Sequence, residues 1–176
     1  MLLAVCLFIG CSKDKEESTK DKEKTAQYST KQLEGRWQRV DSRLPDGKYS
    51  SEFTGILAEI HQCNNQSFFE FTGDKMTFLA KTAAIYGNTI TCQGQTTTVK
   101  YKIEGVSIKI IEEYTTYEML MYDILKLTDT RMEMRLNKEA VEYLKRNLGS
   151  YNIQNMSSYS LEDLLLKNVI ILQKMY

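Results

Sequence analysis

The fold class of this chain is decided by residues 99–110, which read Val-Lys-Tyr-Lys-Ile-Glu-Gly-Val-Ser-Ile-Lys-Ile. From Val99 to Ile103 apolar residues alternate with lysines, and a period of two is typical of a β-strand with one face in the core and one in water. Gly105 then permits a tight connection to a second alternation, which ends at Ile110. The stretch therefore predicts two neighbouring strands joined by a short turn.

The same period of two extends the prediction in both directions along the chain. Apolar residues again occupy alternate positions at Phe69, Phe71, Met76, Phe78, Met132, Met134 and Leu136. A long, mostly apolar run covers 117–127, and a further apolar run covers 169–172. Short polar turns separate most of these segments, so the sequence favours an antiparallel meander of strands in chain order.

Helical patterns interrupt this series of strands. Residues 52–61 keep a helical spacing of apolar side chains, although Gly55 weakens a helix prediction there. Asn137 can cap one helix and Ser160 a second, shorter one. Between them, residues 150–160 are rich in Ser, Asn and Tyr, and we expect an excursion from the fold.

The first ten residues are uncharged and almost entirely apolar. They are too few to span about 30 Å of hydrocarbon, and they fit the apolar part of a secretory signal. Phe8-Ile9-Gly10-Cys11 resembles the lipobox of bacterial lipoproteins, which implies cleavage after Gly10 and acylation of Cys11. A signal normally begins with Lys or Arg, and none precedes Cys11, which leaves open a start upstream of Met1. The alternative is an apolar terminus with an incidental cysteine.

These features divide the chain into a signal at 1–10, a lipidated tether at 11–28 and one folded domain at 29–176. The tether is charged and polar and has nothing with which to form a core. Its early charges resemble export signals of surface lipoproteins from Gram-negative gut anaerobes. We therefore expect an outer-membrane lipoprotein, on the periplasmic face or the cell surface, whose partner is the membrane that holds the lipid on Cys11.

The charges of the chain balance, with 23 Lys and Arg against 23 Asp and Glu. A chain without a field of one sign is a poor partner for nucleic acid, and we expect none to bind. Hydrophobic residues make up 42% of the chain, which is enough for the domain to bury a core, and we expect a monomer.

Cys63 and Cys92 remain once Cys6 leaves with the signal and Cys11 carries the lipid. In an exported protein an even pair favours a disulfide, which would stabilise the fold by roughly 2–4 kcal/mol. Two separate buried thiols are the alternative. The spacing lacks the Cys-x-x-Cys form of a zinc site and His61 adds only one ligand, so we expect no metal.

A known pattern is found at Leu33-Glu34-Gly35-Arg36-Trp37, where a short helical turn meets Gly-x-Trp on the first strand. It resembles the opening of the lipocalins, and the resemblance implies that Gly35 and Trp37 close one end of a small barrel. Segments similar to the lipocalin-like domains of gut-anaerobe lipoproteins follow at 63–71, 73–78, 101–105 and 122–134. We thus predict an all-β, lipocalin-like antiparallel up-and-down barrel of about eight strands, with one or two helices near the C-terminus.

The sequence offers little to an enzyme, and we predict neither catalysis nor a cofactor. Nucleophilic hydrolysis needs a base beside a serine or cysteine. The chain has one histidine, His61, and no Gly-x-Ser-x-Gly motif that would mark a nucleophilic serine. Glu112-Glu113, or Glu59 with Glu70, could supply paired carboxylates for glycoside hydrolysis. The same residues are ordinary on a solvated strand face, and we favour that interpretation.

Binding of a small hydrophobic molecule in the barrel mouth is the function that we predict, with no ligand-binding residue assigned. Adaptable methionines on neighbouring strands could line such a pocket or simply fill the core, namely Met119, Met121, Met132 and Met134. The alternative is a structural or interaction lipoprotein that docks a protein or glycan through its loops. An interior apolar cavity would favour the first function, and a filled barrel with an exposed apolar patch would favour the second.

Overall fold

A computed structural model describes residues 27–86, 89–112, 117–147 and 160–176. Eight strands form a closed barrel in which each strand pairs antiparallel with its neighbours in the chain, and the last pairs with the first. The predicted fold class, a lipocalin-like up-and-down barrel, is therefore confirmed. The signal, Cys11 and most of the tether lie outside the described residues.

The strands follow one another along the chain in the order of the barrel. They are β1 (Gly35–Arg43), β2 (Phe68–Thr72), β3 (Lys75–Tyr86), β4 (Thr89–Glu104), β5 (Ser107–Ile111), β6 (Glu118–Leu127), β7 (Arg131–Leu136) and β8 (Val169–Met175). The helices are α1 (Thr30–Leu33), a 3₁₀ turn (Ser50–Glu52), α2 (Ile56–Asn64), α3 (Lys138–Asn147) and α4 (Leu161–Lys167). None of these described helices is long and apolar enough to cross a membrane.

The ambiguous segment at 52–61 forms a helix because its glycine lies before the helix rather than within it. Gly55 is the N-cap of α2 and has a φ of 60°, in the left-handed region that glycine adopts without strain. The helical spacing that begins at Ile56 is therefore uninterrupted. The extended runs near residues 90 and 100 prove to be one strand of 16 residues, β4.

One end of the barrel is filled by Trp37, which is fully buried. Its indole Nε1 donates a hydrogen bond of 2.7 Å to the carbonyl of Leu33, the last residue of α1. Lys174 lies over the Trp37 ring, with Nζ at 5.1 Å from the ring centre. Gly35 has a φ of 110°, and a Cβ there would lie 3.0 Å from Cε of Lys174. We call this end of the barrel, which Trp37 fills, the packed end.

Aromatic rings continue the core above Trp37. Phe71 and Tyr101 meet edge to face with ring centres 5.1 Å apart, and Phe69 meets Tyr122 in the same way at 5.6 Å. Such contacts add about 0.5–1.5 kcal/mol per pair beyond the burial of area. The core of the barrel therefore runs from Trp37 to the level of Tyr122.

The opposite end, which we call the open end, carries the two long connections. One leads from β1 to β2 through the 3₁₀ turn and α2, and the other leads from β7 to β8 through α3 and α4. Helix α2 packs against β3, α3 against β6 and α4 against β7. The predicted excursion at 150–160 belongs to the second connection but, except for Ser160, lies outside the described residues.

A disulfide joins Cys63 near the end of α2 to Cys92 in β4, with the two Cα atoms 5.5 Å apart. Of the two interpretations of these cysteines, the structure shows the disulfide. Cys63 is buried and Cys92 is exposed. The bond therefore fastens the helix of the first long connection to the barrel wall.

Candidate functional site

A cavity of about 560 Å³ opens at the open end, between β1, the connection to β2, α4 and the start of β8. Its apolar walls are formed by Leu44, Phe53, Leu57, Ile60 and Leu164, and its polar walls by Arg39, Ser42, Asp46, Lys48, Ser50, His61, Asn64 and Asn168. We call it the open-end pocket. It is the candidate site because apolar walls with a few convergent polar groups are typical of small-molecule sites.

Strand β1 supplies the floor of the pocket. Trp37 and Arg39 follow the alternation of a strand, and the pairing with β8 then shifts by one residue between Arg39 and Asp41. This bulge brings Ser42 and Leu44 to the pocket, and Ser42 is almost completely buried. Arg39 is therefore the first pocket residue above the packed end.

Helix α2 supplies one wall of the pocket. Its pocket-lining residues are Leu57, Ile60, His61 and Asn64, which share one face at the spacing of helical turns. Leu57 is still 41% exposed, and Ile56 beside it is 47% exposed. The wall thus reaches from the pocket to the surface with an apolar edge.

The guanidinium of Arg39 has few partners for its donors. Its Nη2 donates to the Ser42 hydroxyl at 2.5 Å, whereas its Nε is buried and meets no acceptor. Among the described residues, no carboxylate lies within ion-pairing distance of this side chain. Burial lowers the pKa of Arg39, while the charge of Asp41 and the neighbouring Tyr122 work in the opposite direction. An arginine remains protonated under these conditions, so the pocket floor carries a positive charge.

A chain of hydrogen bonds borders the pocket. Asn65 Nδ2 donates to the carbonyl of Val40 and also lies 2.8 Å from His61 Nε2, so Nε2 is the acceptor there. His61 Nδ1 then carries the proton and donates to the Ser50 hydroxyl, at 2.8 Å. Ser50 in turn donates to Asp41 Oδ1, also at 2.8 Å.

The direction of these hydrogen bonds decides whether Ser50 could act as a nucleophile. The Ser50 proton points to Asp41 rather than to His61, and both ring nitrogens of His61 already have partners. A nucleophilic serine needs a base that accepts its proton, and here the histidine donates to it. The chain therefore serves to hold β1, the 3₁₀ turn and α2 in fixed relation at the edge of the pocket.

Asp41 is the anionic terminus of the chain. Burial works to raise the pKa of its carboxyl group, but hydrogen bonds from Ser51, Ser50 and the Ser42 backbone outweigh burial and hold the pKa below its usual value. The Ser51 hydroxyl donates to Oδ2 at 2.6 Å, and the Ser42 N–H donates to Oδ1 at 2.7 Å. Asp41 is thus a charged group whose oxygens are occupied by neighbours of its own.

The residues that the sequence suggested for binding or catalysis lie elsewhere. Met119, Met132 and Met134 are buried in the barrel, and none of the four candidate methionines lines the open-end pocket. The interpretation of a methionine-lined pocket is therefore wrong, and core packing accounts for these three. Glu59, Glu70 and Glu112 are exposed and also lie outside the pocket, while Glu113 is outside the described residues. Within the described part of the chain, no group of three possible metal ligands converges.

The sequence indicated no residue of this pocket for binding, and Arg39 and Ser50 show why. A signal for Arg39 was present, because counting by two from Trp37 along a strand turns Arg39 to the same side. Ser50 had no such signal, since its position depends on the path of the connection after β1. His61 was considered only as a lone histidine, and its place in the wall depends on the face of α2.

A comparison with protein families matches residues 33–134, more than half of the chain, to the lipocalin-like domain. The match begins at the last residue of α1 and ends inside β7, so it covers the packed end and most of the barrel wall. No curated protein and no solved structure matches the chain. The extent of the family match and the closed barrel lead to one conclusion: the chain belongs to the lipocalin-like domain family.

Proposed function

We propose that this protein binds a small, largely apolar molecule in the open-end pocket and does not transform it. The observation that carries the proposal is the cavity of about 560 Å³ with five apolar side chains in its walls. Pockets for small ligands have volumes of about 300–1,000 Å³ and are lined mainly by apolar groups. A lipocalin-like barrel with an unfilled open end is suited to this role.

The cavity also favours binding over docking through the surface. A filled barrel with a separate apolar patch would support an interaction protein, but here a cavity opens beside β1, α2 and α4. The exposed apolar residues of α2, Ile56 and Leu57, adjoin the pocket, and Leu57 is part of its wall. They form an apolar rim by which a hydrophobic molecule enters.

Binding at this place is tested with N-phenyl-1-naphthylamine, a neutral apolar dye whose fluorescence rises in apolar surroundings. We expect saturable binding to the wild-type protein and a Kd at least about tenfold weaker in Ile60→Trp or Leu164→Trp, which fill the pocket. The matched control is Leu125→Trp, on β6 and outside the pocket, where the Kd is expected to be unchanged. Equal dye binding in all four folded proteins would overturn the proposal.

We further propose that the barrel works as a lipoprotein of the outer membrane, on its periplasmic face or at the cell surface, held by lipid on Cys11. The support is the apolar run that stops at Cys11 and the charged residues that follow. Growth with an alkyne fatty acid should label the protein, and Cys11→Ala should abolish the label. Label that persists in the variant would contradict this proposal without affecting the binding test.

A further inference from the structure

The floor of the open-end pocket is charged, although most of its walls are apolar. Arg39 lies two residues after Trp37 on β1, and within its side chain only Nη2 has a hydrogen-bond partner among the described residues, the Ser42 hydroxyl. The guanidinium carries further N–H donors in a planar fork, and these have no acceptor of their own. Asp41 acts on Arg39 through its charge but forms no ion pair with it, so the buried Nε keeps no acceptor among the described residues, and an anion brought by a ligand would supply one.

Resting on the proposed binding function, we propose that the ligand carries a carboxylate head, which Arg39 holds at the floor while the apolar remainder points to the opening. The preferred molecule is thus an amphiphilic monoanion such as a medium-chain carboxylic acid. This assignment follows from the position of Arg39, which has no ion-pair partner among the described residues, in the wall of a largely apolar pocket.

The charges around the pocket support a single negative charge on the ligand. Two cations line it, Arg39 and Lys48, against one carboxylate, Asp46. Lys48 Nζ lies 3.3 Å from Asp46 Oδ2, so these two compensate each other at the rim. Asp41 is close enough to influence Arg39 but its oxygens accept hydrogen bonds from Ser42, Ser50 and Ser51. Of the two lining cations, Arg39 is therefore the one without an ion-pair partner among the described residues.

The shape of the pocket places the two parts of such a ligand. The apolar residues that share the pocket with Arg39 come from three places, with Leu44 on the chain after β1, Leu57 and Ile60 on α2, and Leu164 on α4. A carboxylate is planar and meets a guanidinium through two parallel hydrogen bonds, which fixes its orientation. The carboxylate head is therefore held by oriented hydrogen bonds and by charge, and the apolar tail is held by the burial of its surface.

The test compares decanoate, decanol and decyl phosphate as competitors of bound N-phenyl-1-naphthylamine on the full chain. Decanoate and decanol share the same tail, so their ratio of inhibition constants reports on the head alone. We expect decanoate to bind about ten- to one-hundred-fold tighter than decanol, and tighter than decyl phosphate. Equal binding of decanoate and decanol by a protein that binds the dye would overturn the carboxylate and leave the pocket intact. Absence of dye binding would instead overturn the proposed function itself.

Variants assign the preference to its residue. Arg39→Met keeps an unbranched side chain of similar length, and we expect the ratio of decanol to decanoate inhibition constants to fall to about one. Arg43→Met is the matched control, since Arg43 lies on the same strand but pairs with Glu133 at 3.5 Å outside the pocket, and it should keep the wild-type ratio. A wild-type ratio in folded Arg39→Met would refute the assignment. If that variant fails to fold, Arg39→Lys, which keeps the charge and loses the fork, must give an intermediate ratio.

Discussion

Strand β1 contributes to both ends of this barrel, and the two ends differ in the buried polar groups that they leave without a hydrogen-bond partner. At the packed end, the Trp37 N–H meets the Leu33 carbonyl, and the buried group left without a partner is the neutral hydroxyl of Tyr101. At the open end, the buried groups without a partner among the described residues are the amide oxygens of Asn65 and Asn168 and, two residues further along β1 than Trp37, Nε of the charged Arg39. Burial raises the pKa of Tyr101 to about 12, which keeps that hydroxyl neutral, whereas Arg39 stays charged.

Because of this difference, we expect one position of β1 to matter for stability and another to matter for function. An unpaired neutral hydroxyl costs about 1–3 kcal/mol and is tolerated in a well-packed core. An unpaired guanidinium costs more, and it lies where the core gives way to a cavity. We expect changes at the packed end to alter the free energy of unfolding, and changes at the open end to alter binding as well.

Trp37→Ala should have the largest effect, because it leaves a cavity at the centre of the packed end. We expect the free energy of unfolding to fall by about 3–5 kcal/mol, measured by urea denaturation. Trp37→Phe keeps a ring and loses the N–H, and it should cost clearly less. A loss below about 1 kcal/mol in Trp37→Ala would show that the packed end does not depend on this ring.

Removing the disulfide with the double variant Cys63→Ala, Cys92→Ala should have the next largest effect. We expect a loss of about 2–4 kcal/mol in the free energy of unfolding, since the cross-link restricts the unfolded chain. Because the bond holds α2, dye binding should weaken too, which Trp37→Phe should not cause. Thiol labelling of the unfolded, unreduced wild type checks the premise: labelling of both cysteines would contradict it.

Ser50→Ala tests the hydrogen-bond chain at the edge of the pocket. It leaves the Nδ1 donor of His61 without its acceptor and removes one of the two acceptors of the Ser42 N–H, and we expect a loss of about 1–2 kcal/mol in the free energy of unfolding. Ser51→Ala is the control, because Ser51 is exposed and its hydroxyl contacts only Asp41 within the described residues. Equal losses in both variants would mean that the hydrogen bond between Ser50 and His61 of α2 adds nothing to the free energy of unfolding.

Asp41→Asn should have the smallest effect, and it should depend on pH. The pKa of Asp41 is lower in the folded protein, so its stabilisation is fully present above the unfolded value of about 3.9 and is lost as the pH falls through the folded value. Solvent screens this carboxylate, so the difference should stay below about 1 kcal/mol. Between pH 6 and pH 3, the urea midpoint should fall less in the variant than in the wild type. The same acid-induced loss in both proteins would contradict this assignment.

Much of the barrel and its packed end could be predicted from the sequence, because both rest on local patterns. The period of two gave the strands, and Gly35-Arg36-Trp37 pointed to a lipocalin-like barrel. Counting the cysteines that would remain after export favoured a disulfide between Cys63 and Cys92, which the structure shows. Residues 52–61 stayed ambiguous because the role of Gly55 depends on whether the helix starts before or after it.

The open end could not be predicted in the same way, because it is made by residues that meet from distant parts of the chain. Arg39 resembles any polar residue of a half-solvated strand until the barrel closes around it. The bulge after Arg39 changes which residues face inward, and no motif in the sequence marks it. The methionines fitted both a pocket and a core, because a strand pattern does not say how deep in the barrel each position lies.

The disulfide has a consequence for the time that a ligand spends in the barrel. It fixes the end of α2 that carries Cys63, whereas Leu57 and Ile60 belong to the turns before it. Arg39 is part of the barrel wall and does not depend on α2 for its position. Escape should therefore begin at the tail of the ligand, and the residence time should be set by the first turns of this helix rather than by the charged head.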